Sequence, residues 1–148
     1  MLVREFMTTK VTSLEETDTL LDASMIFVRT TYRHIPVVRD KHLVGIVTER
    51  DVKQFVPTLL TKVTPEEYNR ALETTPISRV MTRDPVTVEP DQSIFDAATI
   101  LYKKRLGLLP VLQNGELVGV ISTTDMMKLL VKLLNEKGLV SKDSSLPA

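Results

Sequence analysis

The chain has 148 residues, in which 19 lysines and arginines balance 19 aspartates and glutamates, and it contains no cysteine. That length suits one compact domain or two small halves sharing a core, and zero net charge leaves no general field to draw in nucleic acid or an anionic membrane. Without cysteine there are no disulfides, thiolate nucleophiles or Cys-ligated zinc. No apolar run approaches the roughly 20 residues of a membrane helix, and the N-terminus lacks the apolar core of a signal peptide. The sequence therefore reads as a soluble, unexported protein of the cytoplasm.

In chain order, the segment Phe6-Met7-Thr8 leads to a predicted strand from Val11 to Leu14. Thr19-x-x-Asp22 is an N-cap signal, and Leu20, Ala23 and Phe27 then recur at helical spacing, which turns one helix face into a core. Two strands follow, Ile35 to Val38 and Leu43 to Val47, before Thr48-x-x-Asp51 opens a second helix. Thr64-Pro65-Glu66-Glu67 caps a short connecting helix running to about Leu72, because proline is favoured at the first helical position and acids in the first turn. Pro76 makes Thr74 to Ile77 an extended linker.

The same order then returns. A shift of 74 places (81 − 7) pairs Met7 with Met81, Thr8 with Thr82, Ala23 with Ala97, Pro36 with Pro110, Gly45 with Gly119 and Asp51 with Asp125, without a gap. The second copy predicts strands at Val86–Val88, Leu109–Leu112 and Leu117–Ile121, a helix capped by Ser93-x-x-Asp96, and a hairpin turn at Asn114-Gly115. The organisation is thus a first unit over 1–60, a connecting helix and linker over 61–74, a second unit over 75–134 and a short polar, disordered tail over 135–148.

The last helix is apolar on more than one face: between Met126 and Leu134 only Lys128 and Lys132 are polar. A helix packed on one core needs one apolar stripe. The surplus points to a second copy of the chain or to burial within the monomer.

The most informative stretch is Leu43 to Asp51, which returns as Leu117 to Asp125. Each is a short buried strand running out at a hydroxyl residue, Thr48 or Ser122, with an aspartate three places on. At a helix start, unpaired N–H groups favour a bound anion, and a nearby carboxylate can accept two hydrogen bonds from a diol, so phosphate and ribose are one pair that fits. The plainer reading is a capping box that satisfies only the backbone. Likewise Arg33 and His34 read as anion donors or as a solvated loop. Pro36 and Pro110 read as cleft walls or edge-strand markers, and Gly45 and Gly119 as sites of close backbone approach.

Met-Thr near the start of each copy, then Ile35-Pro36-Val37 or Leu109-Pro110-Val111, then Leu-Val-Gly-(Ile/Val)-(Val/Ile)-(Thr/Ser)-x-x-Asp, resemble a tandem pair of CBS motifs, the modules named after cystathionine β-synthase. The resemblance covers about Leu2 to Leu134. It implies an α/β (α+β) fold of two β-α-β-β-α motifs, related by a pseudo-twofold axis and packed sheet to sheet, which pair as homodimers. It also implies a stand-alone regulatory module with clefts for an adenosine nucleotide, AMP, ADP or ATP, or for S-adenosylmethionine.

Carried over residue by residue, one site would comprise Thr12, Arg33, His34, Ile35, Pro36, Thr48, Arg50 and Asp51. The other would comprise Arg83, Pro85, Val86, Leu108, Leu109, Pro110, Ser122, Thr124 and Asp125. Asp51 and Asp125 would take the ribose hydroxyls. Arg33 and Arg50 would give the first cleft cationic donors that the second lacks, so Asp51 is expected to matter more for binding than Asp125.

A nucleotide hydrolase is disfavoured, since neither glycine-rich phosphate loop is present and His34 and His42 have no metal-cage spacing. A ligand-free scaffold is the other alternative. The regulated protein is not legible in the chain.

Overall fold

The computed structural model describes residues 1–60 and 64–140; of the tail expected over 135–148, residues 135 and 136 end the last helix and 141–148 lie outside the described residues. The first unit contains β1 (Leu14–Glu15), α2 (Leu20–Arg29), β2 (His34–Arg39), β3 (His42–Thr48) and α3 (Glu49–Leu60), preceded by a one-turn helix α1 (Val3–Phe6). The connecting helix α4 (Pro65–Thr74) is capped by the Thr64 hydroxyl, which accepts from the Glu67 N–H, with Pro65 at its start as expected. The second unit follows with β4 (Thr82–Arg83), α5 (Ile94–Lys104), β5 (Leu108–Gln113), β6 (Glu116–Ser122) and α6 (Thr123–Glu136).

The register repeats the internal symmetry of the chain. Ile35 faces Val47 and Pro36 faces Ile46 across the first hairpin, and Leu109 faces Ile121 and Pro110 faces Val120 across the second. Each pair of strands slips by one residue at the equivalent place, between Val37 and Val38 and between Val111 and Leu112. At the tip of the second hairpin Asn114 and Gly115 both have positive φ, as the tight turn requires. The first hairpin reaches the same conformation with Asp40 and Lys41, neither of them glycine, so the equivalent turn carried no clear signal. The two hairpins meet at their inner edges through the single antiparallel pair His42–Glu116, giving the strand order β1-β2-β3-β6-β5.

The leading segments are exchanged between units. Thr8 bridges Val120, and Val3, Phe6 and Met7 pack into the core of the second unit with Val88, Ile94, Leu109 and Ile121. Conversely, β4 pairs with β3, and Leu72, Ile77 and Met81 belong to the first core with Leu20, Ile35 and Val47. Each unit is therefore closed by residues lying before the start of the other, which ties the halves together more firmly than one strand pair could.

The crossing also shortens the first strands. Of Val11 to Leu14 only Leu14 joins the sheet, with Glu15, alongside Val37 and Val38. Of Val86 to Val88 only Val88 does, through one bridge to Val111. The residues before them are used to travel from the opposite unit.

On α6, Leu129 faces the core while Met127, Leu130, Val131 and Leu134 remain 58%, 45%, 65% and 38% exposed. The helix is not sandwiched within the monomer. No helix among the described residues is long and apolar enough to cross a membrane.

Candidate functional site

Both aspartates cap the helices that follow the inner strands. The Asp51 Oδ2 atom accepts from the Thr48 N–H at 2.9 Å while the Thr48 hydroxyl accepts from the Asp51 N–H at 3.0 Å. At the second helix the Ser122 N–H donates to Asp125 Oδ2 at 2.9 Å, the Ser122 hydroxyl donates to the same oxygen at 3.0 Å, and the Asp125 N–H donates back to that hydroxyl at 3.2 Å. Capping thus occupies one carboxylate oxygen. Among the described residues Oδ1 of each aspartate accepts no hydrogen bond and is not buried, so the capping and ligand readings are compatible: one oxygen fixes the side chain and the other is left free to accept.

A cleft of about 510 Å³ opens beside Asp125. One wall is the leading segment of the chain, with Lys10, Val11 and Thr12. A second is the loop before β2, Thr31 to His34, with Pro36. The third is the end of β6 and the start of α6, Ser122 to Asp125 with Lys128. On the other side of Arg33 and His34, which line both, Thr48, Glu49, Arg50 and Lys53 line a more open depression.

The Asp125 cleft is therefore a composite of both copies, whereas the Thr48 depression is lined by the first copy alone and brings together Arg33, His34, Thr48 and Arg50 of the expected first site. Thr12, Arg33, His34 and Pro36 face Ser122, Thr124 and Asp125, together with Leu108, rather than closing around Thr48 and Asp51 alone. Arg83 is attached to the first unit, where β4 pairs with Gly45, and neither it nor Pro85 and Val86 lines the Asp125 cleft. Ile35 and Leu109 are wholly buried in the two cores, while Pro36 and Pro110, one residue on, point to the opposite faces of their strands and are also buried; of the two prolines only Pro36 borders the Asp125 cleft. Lys10 and Lys128 were missed. Lys10 lies before the predicted strand, and the exchange of leading segments that brings it to Asp125 has no signature in local pattern.

The two cavities are each lined by three cations and one carboxylate, and they differ in where that carboxylate sits. Lys10, Arg33 and Lys128 surround the Asp125 cleft, in which Asp125 is the sole carboxylate. The Thr48 depression contains Arg33, Arg50 and Lys53, but Glu49 sits among them, 3.0 Å from the Arg33 guanidinium and 2.5 Å from Lys53 Nζ. A bound phosphate there would face a resident anion. The second copy has Thr123 where the first has Glu49, and Gly107 where it has Arg33. The backbone bond is nonetheless kept: Glu49 N–H to Arg33 C=O and Thr123 N–H to Gly107 C=O are both 3.0 Å.

His34 lies between the clefts with its ring against Gly107, where a Cβ would stand 2.5 Å from Cε1. Burial lowers its pKa below the ordinary 6.5, and the Asp51 charge opposes this only in part. A depressed folded-state value means that the unfolded chain takes up a proton first. His34 therefore costs stability as pH falls from the ordinary value through the lowered one. The urea midpoint of the wild type is expected to fall more than that of His34→Asn between about pH 7 and about pH 5. Parallel profiles would remove His34 as a source of that loss.

Among the described residues no cluster of three or more His, Asp or Glu side chains is arranged to hold a metal. A family model for the CBS domain matches residues 3–58 and again 77–132. The chain belongs to the CBS domain family. A CBS domain-containing protein of Dictyostelium discoideum is 30% identical over 136 residues, covering 90% of this chain and 93% of its own. Two solved CBS structures share the fold. CBSX2 in complex with AMP has a TM-score of 0.75 at 22% identity, over 89% of this chain and 97% of that one. The CBS domain pair of MJ0100, in complex with 5′-methylthioadenosine and S-adenosylmethionine, has a TM-score of 0.71 at 21% identity, over 90% and 98%.

Proposed function

We propose that this CBS pair is a sensing module without catalysis of its own, which binds a phosphorylated adenosine, AMP, ADP or ATP, in the Asp125 cleft and thereby regulates another protein. The observation that carries this reading is the Asp125 carboxylate, with only Oδ2 engaged by the cap, in a cleft edged by Lys10, Arg33 and Lys128. A carboxylate acceptor suits the two ribose hydroxyls, and three cations suit a phosphate. Val11, Thr12 and Pro36 form the less polar side against which an adenine would lie. The adenosyl ligands of CBSX2 and MJ0100 support the ligand class, and the local charge favours a phosphate over the cationic sulfonium of S-adenosylmethionine.

Calorimetric titration tests this directly. AMP is expected to bind with measurable heat and to raise the melting temperature by mass action, and S-adenosylmethionine to bind more weakly. No heat and no thermal shift with millimolar AMP, ADP or ATP would overturn the reading. Release of phosphate from ATP above the blank would favour the hydrolase alternative instead.

The exposed apolar side of α6 supports a homodimer as the working unit. Leu130→Glu and Val131→Glu together are expected to shift the protein from dimer to monomer in sedimentation experiments. A wild type that is already monomeric at high concentration would contradict this.

A further inference from the structure

Arg33 and His34 are the two residues that line both cavities, and Arg33 is the one that carries a permanent charge. In this structure its guanidinium is turned to Glu49, at 3.0 Å, with its side chain 58% exposed, and among the described residues its other hydrogen bond is to the adjacent Tyr32 carbonyl. Glu49 has a second partner, since Lys53 lies 2.5 Å from its other oxygen. Its carboxyl is held below the ordinary carboxylate range, first by the hydrogen bond from Lys53 and further by the charges of Arg33 and Lys53, so it is ionised at neutral pH. Arg33 can therefore leave without stranding an unpaired carboxylate. In the Asp125 cleft the position matching Glu49 is Thr123, and the one carboxylate, Asp125, is engaged by its helix cap through Oδ2.

Resting on the nucleotide-binding reading above, we propose that the two clefts are coupled through Arg33, which is exchanged between Glu49 and the phosphate of a ligand in the Asp125 cleft. Two consequences follow from electrostatics alone. The ion pair with Glu49 competes with the phosphate, so Glu49 lowers affinity in a cleft that it does not line. Once Arg33 has moved, the Thr48 depression retains Glu49 with one cation fewer. An anion there is disfavoured while a cationic ligand is favoured, and by reciprocity an anion bound first beside Glu49 would hold Arg33 away from Asp125. The pair would then be occupied at one cleft by a nucleotide, with the second cleft tuned against another.

The test is a double-mutant cycle read by AMP titration of the wild type, Glu49→Gln, Arg33→Gln and the double variant, with binding at the Asp125 cleft identified by its loss in Asp125→Ala. Glu49→Gln is expected to tighten AMP binding by about two- to fivefold, the range for a release of one exposed ion pair. In the Arg33→Gln background the same substitution is expected to change nothing. A structural effect of Glu49→Gln would persist in that background, so the cycle separates the two. AMP binding at the Asp125 cleft that is unchanged by Glu49→Gln, or changed equally with and without Arg33, would overturn the coupling while leaving nucleotide binding intact. Failure of all four proteins to bind AMP would overturn both.

Discussion

Gly45→Ala and Gly119→Ala are each expected to destabilise the fold by about 1–3 kcal/mol, the usual cost of forcing an extra methyl into a filled site. A Cβ on Gly45 would stand 2.7 Å from Met81 Sδ and 2.8 Å from the Thr82 carbonyl oxygen. On Gly119 it would meet Met7 Sδ at 2.8 Å and the Thr8 carbonyl oxygen at 3.0 Å. The methionine ends can swing aside, but the carbonyls belong to the segments that cross from the opposite unit and bridge the same strands. Alanine would gain about 0.4–1 kcal/mol through a less flexible unfolded chain, which is too little to offset the overlap. The urea midpoint should therefore fall at unchanged slope. A neutral or higher midpoint for both variants would mean that the crossing segments are not held as described.

The second large effect concerns the two aspartates. Asp125→Ala is expected to weaken AMP binding by about 10- to 100-fold, since it removes a charged acceptor of hydrogen bonds, and Asp51→Ala to weaken it by much less. Asp125→Asn retains an oxygen for the Ser122 N–H and separates loss of the ligand acceptor from loss of the helix cap. The pattern of the sequence alone led to the opposite order, because Arg33 and Arg50 lie in the same copy as Asp51. Equal losses in the two alanine variants would refute the difference drawn from Glu49, which pairs with the cations of the Thr48 depression.

Much of the fold was legible because it is written twice. Thr19, Thr64, Ser93 and Ser122 mark helix starts that the structure reproduces, and the paired hydrophobic-Pro-Val and Leu-Val-Gly runs locate all four long strands. What escaped was three-dimensional. The composite Asp125 cleft depends on a leading segment that crosses between units, and helical or strand periodicity reports a buried face without saying whose core buries it.

The same limit hid the cations. Lys10 and Lys128 are 118 residues apart (128 − 10) and are ordinary surface lysines to any local pattern. Glu49 was passed over inside Thr48-x-x-Asp51 because a first-turn acid is unremarkable at a helix start; its importance comes from Arg33 standing opposite. The Asp125 carboxylate is a clearer case of two roles in one residue. A capping box and a ligand contact do not exclude each other here, because a carboxylate has two oxygens and the cap engages one.

The most direct measurement is a crystal structure of the protein grown with AMP, read at Asp125. The account expects the ribose hydroxyls within hydrogen-bonding distance of the Asp125 oxygen that the cap leaves free, about 2.5–3.0 Å, with the phosphate toward Lys10, Arg33 and Lys128. AMP bound elsewhere, or bound in this cleft with its ribose turned away from Asp125, would contradict it.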